Sequence, residues 1–328
     1  MWDIDSAAFI FQTESNPPTV RLGLCCINNT LRKKTKEHDE IFCSRTLIAK
    51  SYTREKAHIL ALKNLADLRT LLEWNTRNNI RHFRITSDLF PRITDDAIQC
   101  DQRLKVSDYR EILADIGLYV RSTGQRVTTH PGQYNQIGAK DPNVFQRTIE
   151  DLKMHADMLD YMGMDFNAII TIHGGGTYGD KQLTIKRWIE QFHMLPDNVK
   201  ARIAIENCER QYNVEDCLYI ASVCKIPVIF DSHHFDCYNL INNTDFVGND
   251  YMDHVLSSWG ERRAVMHISE QKPDSRVGSH SDFIENIPSY MLSIPEKYGV
   301  GVDIEVEAKA KEAAIFRLYE KYPELNKI

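Results

Sequence analysis

Six apolar runs of this chain close on a side chain that can bind a metal: VTTHP at His130, AIITIH at His173, RIAIE at Glu206, PVIFD at Asp231, AVMH at His267 and DIEVE at Glu307. A buried strand gains nothing from a terminal imidazole or carboxylate unless something beyond the strand uses it, because burying such a group unpaired is unfavourable. His234 follows Asp231 in a D-x-x-H spacing and supplies a fourth imidazole. Four His and three carboxylates exceed what one tetrahedral ion takes, whereas two or three divalent ions sharing carboxylates would use them all. Clusters of that kind activate a water and stabilise both the attacking and the leaving oxygen of a phosphodiester. Imidazole and carboxylate without cysteine suit Zn or Mn better than Mg or Ca, with Co also admissible. Taken singly, His173 or His267 reads as a hydrogen-bonded core residue; as a set on one face, the group reads as ligands.

The elements that must position these groups alternate along the chain. A strand at 19–25 precedes a helix over 54–79, where Ile59, Leu60, Leu62, Leu65, Leu68, Leu71 and Leu72 recur at helical spacing. HFRI is a second strand, followed by a helix at 106–123 with Gly124 just past its end. Later strands run to His130, His173, Glu206, Asp231, His267 and Glu307. Their helices fall near 143–163, 183–194, 213–224, 250–259, 281–293 and 309–322. Eight strands, each almost wholly apolar and each followed by a helix, imply a parallel sheet covered on both sides. The fold class is α/β, a TIM-type (β/α)8 barrel with the metal site at the C-terminal ends of its strands, where such barrels place their catalytic groups. The expected organisation is one barrel domain over 1–328, with 1–18 as an N-terminal extension and 19–322 as the barrel.

Bulk properties bound the partners. Apolar residues at 42% and charged residues at 26% describe an ordinary globular protein able to bury a large core. A net charge of −6 argues against a generally basic nucleic-acid binder, but a carboxylate-built site contributes several of those charges itself. Lys181, Arg210, Lys272, Arg276, Lys309 and Lys311 follow the strand ends, as a solvated rim or as a contact surface for an anionic polymer. No run of eighteen apolar residues exists, so no membrane span is expected. The acidic Asp3 and Asp5 of the opening segment do not suit a signal peptide, which places the protein in the cytoplasm. Eight cysteines without a C-x-x-C pair read as reduced, mostly buried thiols.

Weaker features follow. HGGGTYGDK at 173–181 could bring backbone amides to a phosphate or could simply make a tight loop. His38, His58, His155, His193 and His254 sit in helix or loop contexts and, like His82, carry no signal.

The strand-end motifs HPGQY at His130–Tyr134, IHGGG, AIEN, FDSHH, HISEQ and VEAKAKE, with RLGLCC and Asn28 near the start and FRITSDLFP at 83–91, resemble those of the UV damage endonuclease family, in the same order. The similarity spans 20 to about 312. It implies a barrel enzyme that nicks damaged double-stranded DNA immediately 5′ of ultraviolet photoproducts, leaving a 3′-hydroxyl and a 5′-phosphate, with a manganese-type cluster. On that reading His130, His173, Glu206, Asp231, His234, His267 and Glu307 are the metal ligands, and Glu206, Glu307 and Lys309 are catalytic. Gln133 and Tyr134 enter the helix opposite the lesion, and Asn28, Arg84 and His280 join them in contacting DNA. A flat aromatic and an amide can fill the gap left by unstacked bases. No obligate protein partner is implied.

Three positions depart from the family pattern. Asp95 stands where relatives carry a metal-site histidine, and it is expected to ligate in its place. Val265 stands where the pattern has a modified lysine, and Leu24 where it has an aromatic. Other chemistries remain open for such a barrel: an abasic-site endonuclease of the endonuclease IV type, a metal-dependent sugar isomerase, or a damage sensor without turnover.

Overall fold

The computed structural model describes residues 19–36 and 38–327; the opening segment read above as an extension without a signal peptide lies outside them. Eight parallel strands close into a barrel in sequence order. They are β1 (Val20–Cys25), β2 (His82–Ile85), β3 (Arg126–Thr129), β4 (Ile170–His173), β5 (Ile203–Glu206), β6 (Val228–Asp231), β7 (Ala264–Ile268) and β8 (Val302–Val306). The covering helices are α1 (Arg54–Arg77), α2 (Arg110–Ser122), α3 (Pro142–Tyr161), α4 (Lys181–Phe192), α5 (Asp197–Lys200), α6 (Val214–Cys224), α7 (Ser232–Asn242), α8 (Met252–Trp259), α9 (Ser289–Leu292), α10 (Ile294–Tyr298) and α11 (Glu312–Lys321). No helix among the described residues is long and apolar enough to cross a membrane. All eight cysteines are unbridged.

Helix starts follow local chemistry. Thr53 caps α1 by accepting from the Lys56 amide, and Leu65, Leu68 and Leu72 turn its fully buried face to the sheet. Each such leucine contributes roughly 2 kcal/mol of burial. Asn213 and Asp216 form a reciprocal capping box at α6. Two stretches differ from the pattern read above: one is a helix not included there, and one a helix shorter than expected. The run 232–242 is helical although it has little apolar periodicity, because Asp231 accepts from the His234 amide at 2.7 Å and nucleates the turn. The expected helix over 281–293 shrinks to α9, and most of 269–288 is loop, closed by a Gln271–His280 bridge.

The strands are also less apolar than their sequence suggests. Successive strand residues face opposite ways, and here the outward set meets the helices while much of the inward set is polar. At the N-terminal end of the barrel Asp303 is bonded by Arg21, Arg126 and Arg263. One layer up, Glu305 accepts from His82 at 2.8 Å and Thr128 at 2.7 Å. Gly23 makes room for His82, whose Cβ would lie 3.0 Å from any Cβ added there. Glu307 follows two residues later, so β8 carries a column of carboxylates up the barrel interior.

Candidate metal centre

Strand register brings the ligand-type residues to one height. His173 on β4 pairs with Glu206 on β5, Asp231 on β6 with His267 on β7, and His267 with Glu305 on β8. Side chains at paired positions of adjacent parallel strands point the same way, so all converge at the C-terminal mouth.

Glu206 is the hub. It is fully buried. Its Oε2 meets Nε2 of His130 at 3.0 Å and Nε2 of His173 at 3.6 Å. Its Oε1 meets Nδ1 of His267 at 2.9 Å and Nδ1 of His234 at 3.5 Å. Two ligand groups therefore share one carboxylate: His130, His173 and Glu206 on one side, and Glu206, Asp231, His267 and Glu307 on the other, each with ligand atoms within 4.8 Å of one another. Asp231 divides its oxygens, Oδ1 capping α7 and Oδ2 buried without a hydrogen-bond partner. A buried carboxylate oxygen with no hydrogen bond, facing only the Nδ1 atoms of His234 at 3.7 Å and His267 at 4.0 Å and grouped with Glu206 and Glu307, is what a cation would satisfy, so the donor set fits divalent metal.

The electrostatics agree with that fit. Burial pushes the His173 imidazole down to about 4, which leaves it neutral with a lone pair to give. Burial opposes ionisation of Glu206, but His173 and His267 more than offset this and hold its carboxyl well below the usual range. Burial likewise opposes the charge on Glu307, and Arg84 and His267 pull it down. His267 and His234 are disfavoured as cations by burial, yet Glu206 with Glu305, and Asp231 with Glu206, raise them well above the ordinary value.

The other expected residues scatter. His234 stands at the edge of the cluster, its Nδ1 3.0 Å from the Asn207 carbonyl. His280 faces Glu307 at 3.7 Å. Asp95 departs from its expected role: its carboxylate is held by Arg92 and by the Ala97 amide, and it belongs to none of the ligand groups among the described residues. Arg84 points into the barrel, bonding Glu307 and lying 3.2 Å from Glu305, and is not turned outward as a DNA contact would be. Asn28 is buried, its Oδ1 accepting from the Leu31 amide. Lys309 is exposed at the mouth, two residues past Glu307. Gln133 and Tyr134 are exposed as the central pair of a turn closed by the Asn135 amide on the Gly132 carbonyl at 3.0 Å, with Tyr134 65% exposed. In the glycine loop, a Cβ on Gly174 would strike the Tyr212 ring at 2.4 Å, and the Gly176 amide bonds Gln136. Packing thus accounts for the first of these glycines.

Sequence reasoning missed His82 and Glu305. His82 is fully buried on β2 and links Asp303, at 3.5 Å, to Glu305. The available signal was the period-two acids of DIEVE, which fit one face of a strand.

Residues 20–328 match the family described as UV-endonuclease UvdE. A relative from Acanthamoeba polyphaga mimivirus, assigned as a UV-damage endonuclease, is 33% identical over 94% of this chain and 92% of its own length. The UV DNA damage endonuclease of Clostridium perfringens (strain 13 / Type A) is 31% identical over 94% of this chain and 72% of that protein. The crystal structure of SacUVDE superposes with a TM-score of 0.81 at 31% identity, covering 94% of this chain and all of that one. A match of this extent, on a closed barrel with its ligand-type residues gathered at one mouth, means that the chain belongs to the UV-endonuclease UvdE family.

Proposed function

We propose that this protein is a divalent-metal-dependent endonuclease that incises duplex DNA immediately 5′ of ultraviolet photoproducts. The observation that carries the reading is the pair of ligand groups sharing Glu206, beside an exposed Gln133–Tyr134 turn on the same rim. The family's named relatives act on UV-damaged DNA, which fits a cluster suited to phosphodiesters.

His130, His173 and Glu206 would hold one divalent ion, manganese first among the candidates, and Glu206, Asp231, His267 and Glu307 a second. When bound, such ions supply Lewis-acid polarisation of the phosphodiester and a more acidic water. The chain's own groups do the rest. Glu206 and Glu307 stay ionised and keep the second group of donors anionic. Arg84 holds Glu307 in place from below. Lys309 and its neighbour Lys311 line the mouth through which an anionic backbone would enter. Tyr134 and Gln133 fill the space that unstacked bases leave, and damaged bases unstack at lower cost. Cleavage of the P–O3′ bond by water then leaves a 3′-hydroxyl and a 5′-phosphate.

The test is incision of an end-labelled duplex carrying a single cyclobutane dimer, with Mn, with Zn and with chelator. Cutting one position 5′ of the dimer, restored after chelation by added Mn and abolished in Glu206→Gln, supports the reading. No cutting under any metal sinks it.

A further inference from the structure

The Gln133–Tyr134 turn is gripped from behind by two buried side chains of α3. Asp151 is 4% exposed, and its Oδ2 accepts from Nδ2 of Asn135 at 2.7 Å while its Oδ1 accepts from the Thr94 hydroxyl at 2.6 Å. One turn earlier, Thr148 is 1% exposed; its hydroxyl accepts from the Gln136 amide at 3.0 Å and donates to the Val144 carbonyl. Residues 133 and 134 face solvent while 135 and 136, which follow at once, are tied down. Asn135 closes the turn as well, since both its amide and its Nδ2 reach the Gly132 carbonyl, at 3.0 and 3.1 Å.

We infer that Asp151 is a positioning residue for the Gln133–Tyr134 turn: it fixes the turn against α3 through Asn135 and joins it to the loop after β2 through Thr94. The inference rests on the proposed function for what the turn does, but on the hydrogen bonds alone for how it is held. A wedge entering a base stack must resist being pushed back. A freely hinged two-residue tip would return the energy of contact as loop motion, whereas one braced on a helix transmits it to the DNA. A carboxylate suits the position because it accepts from two donors on different loops at once, and an amide there presents one oxygen to two donors.

The experiment compares the metal-loaded wild type with Asp151→Asn and Thr94→Val on a duplex with one cyclobutane dimer and on the same duplex undamaged. Amide hydrogen exchange of the segment 132–137 is followed in parallel. Loss of a charge-assisted hydrogen bond predicts that Asp151→Asn raises KM for the damaged duplex about tenfold or more while kcat and metal content stay within about threefold. Exchange at the Asn135 amide accelerates by a similar factor. Thr94→Val removes one donor only and shifts both readouts the same way by less; it decides the matter if Asp151→Asn does not fold. Unchanged KM and unchanged exchange in a folded variant overturn the inference. If the wild type shows no preference for the damaged duplex, the proposed function falls instead, and exchange at Asn135 still reports whether Asp151 anchors the turn.

Discussion

His82 Nε2 and Glu305 Oε1 lie 2.8 Å apart at the centre of the barrel, both wholly shielded from solvent. Glu305 also takes the Thr128 hydroxyl and lies 3.2 Å from Arg84 and from Nε2 of His267. Its two oxygens thus face donors from β2, β3 and β7, and it connects the arginine-lined base to the metal-side ring of His267. Glu305 faces the Nε2 side of that ring as an ion-pair partner, while Nδ1 faces Glu206 and Glu307 on the metal side.

Removing one member of this network should be severe. Glu305→Ala takes one of its two carboxylate partners from Arg84, which keeps Glu307, and leaves a void beside His82 and Thr128, which predicts a loss of about 3–5 kcal/mol in urea unfolding. A loss under about 1 kcal/mol would mean that the network carries little stability.

Asp303 sets an acid limit on the fold. Burial alone would raise its carboxyl, but Arg21 and Arg263, with His82, hold it well below the usual range. A folded-state value below the unfolded one means its contribution is complete above the unfolded value, about 4, and is lost as pH falls toward the folded value. Stability attributable to Asp303 should therefore be flat from pH 5 to 8 and fall only in stronger acid. Asp303→Asn should be destabilised across the whole range, and the wild-type and variant curves should draw together only below about pH 4. Curves that converge at neutral pH would contradict the assignment.

Much of the mouth was legible in the sequence, because a His or carboxylate ending an apolar run contradicts the run's own burial. His130, His173, Glu206, Asp231, His267 and Glu307 all arrive there. The barrel's interior was not legible. Arg21, His82, Arg126, Asp303 and Glu305 neutralise one another only across strands far apart in sequence, and no local pattern records a partner some 220 residues away, as between His82 and Glu305. The α7 helix was hidden for a related reason, since its start is set by the carboxylate of Asp231, a residue whose position at a strand end marks it first as a ligand. For Asp95 only the family resemblance implied a metal role, and the neighbouring Arg92 holds its carboxylate.

Metal uptake should release protons. His234 and His267 carry values raised well above the ordinary imidazole, because Asp231, Glu206 and Glu305 outweigh burial. A raised folded value favours the protonated rings in the metal-free protein; a dication held by Glu206, Asp231, His267 and Glu307 must displace the proton of His267, and its charge beside His234 disfavours the proton there. Affinity for Mn should therefore climb with pH between 6 and 8, by about one order of magnitude per unit for each proton released. Calorimetric titration in two buffers of different ionisation heat measures that release directly. Heats independent of the buffer would show that the rings are already neutral.

The exposed turn makes the sharpest prediction about specificity. Tyr134 is 65% exposed, lies outside both ligand groups and touches Gly132 rather than the cluster. Its removal should leave fold and metal binding alone. Aromatic stacking against a base is worth about 1–3 kcal/mol, so Tyr134→Ala should lower incision of dimer-containing duplex relative to undamaged duplex by about 5- to 150-fold. Tyr134→Phe keeps the ring and should retain most of that ratio, because the face of the ring fills the gap and the hydroxyl bonds nothing there. Measured as the ratio of kcat/KM on the two duplexes at fixed Mn and salt, an unchanged ratio in Tyr134→Ala would mean that the lesion is read elsewhere on the rim.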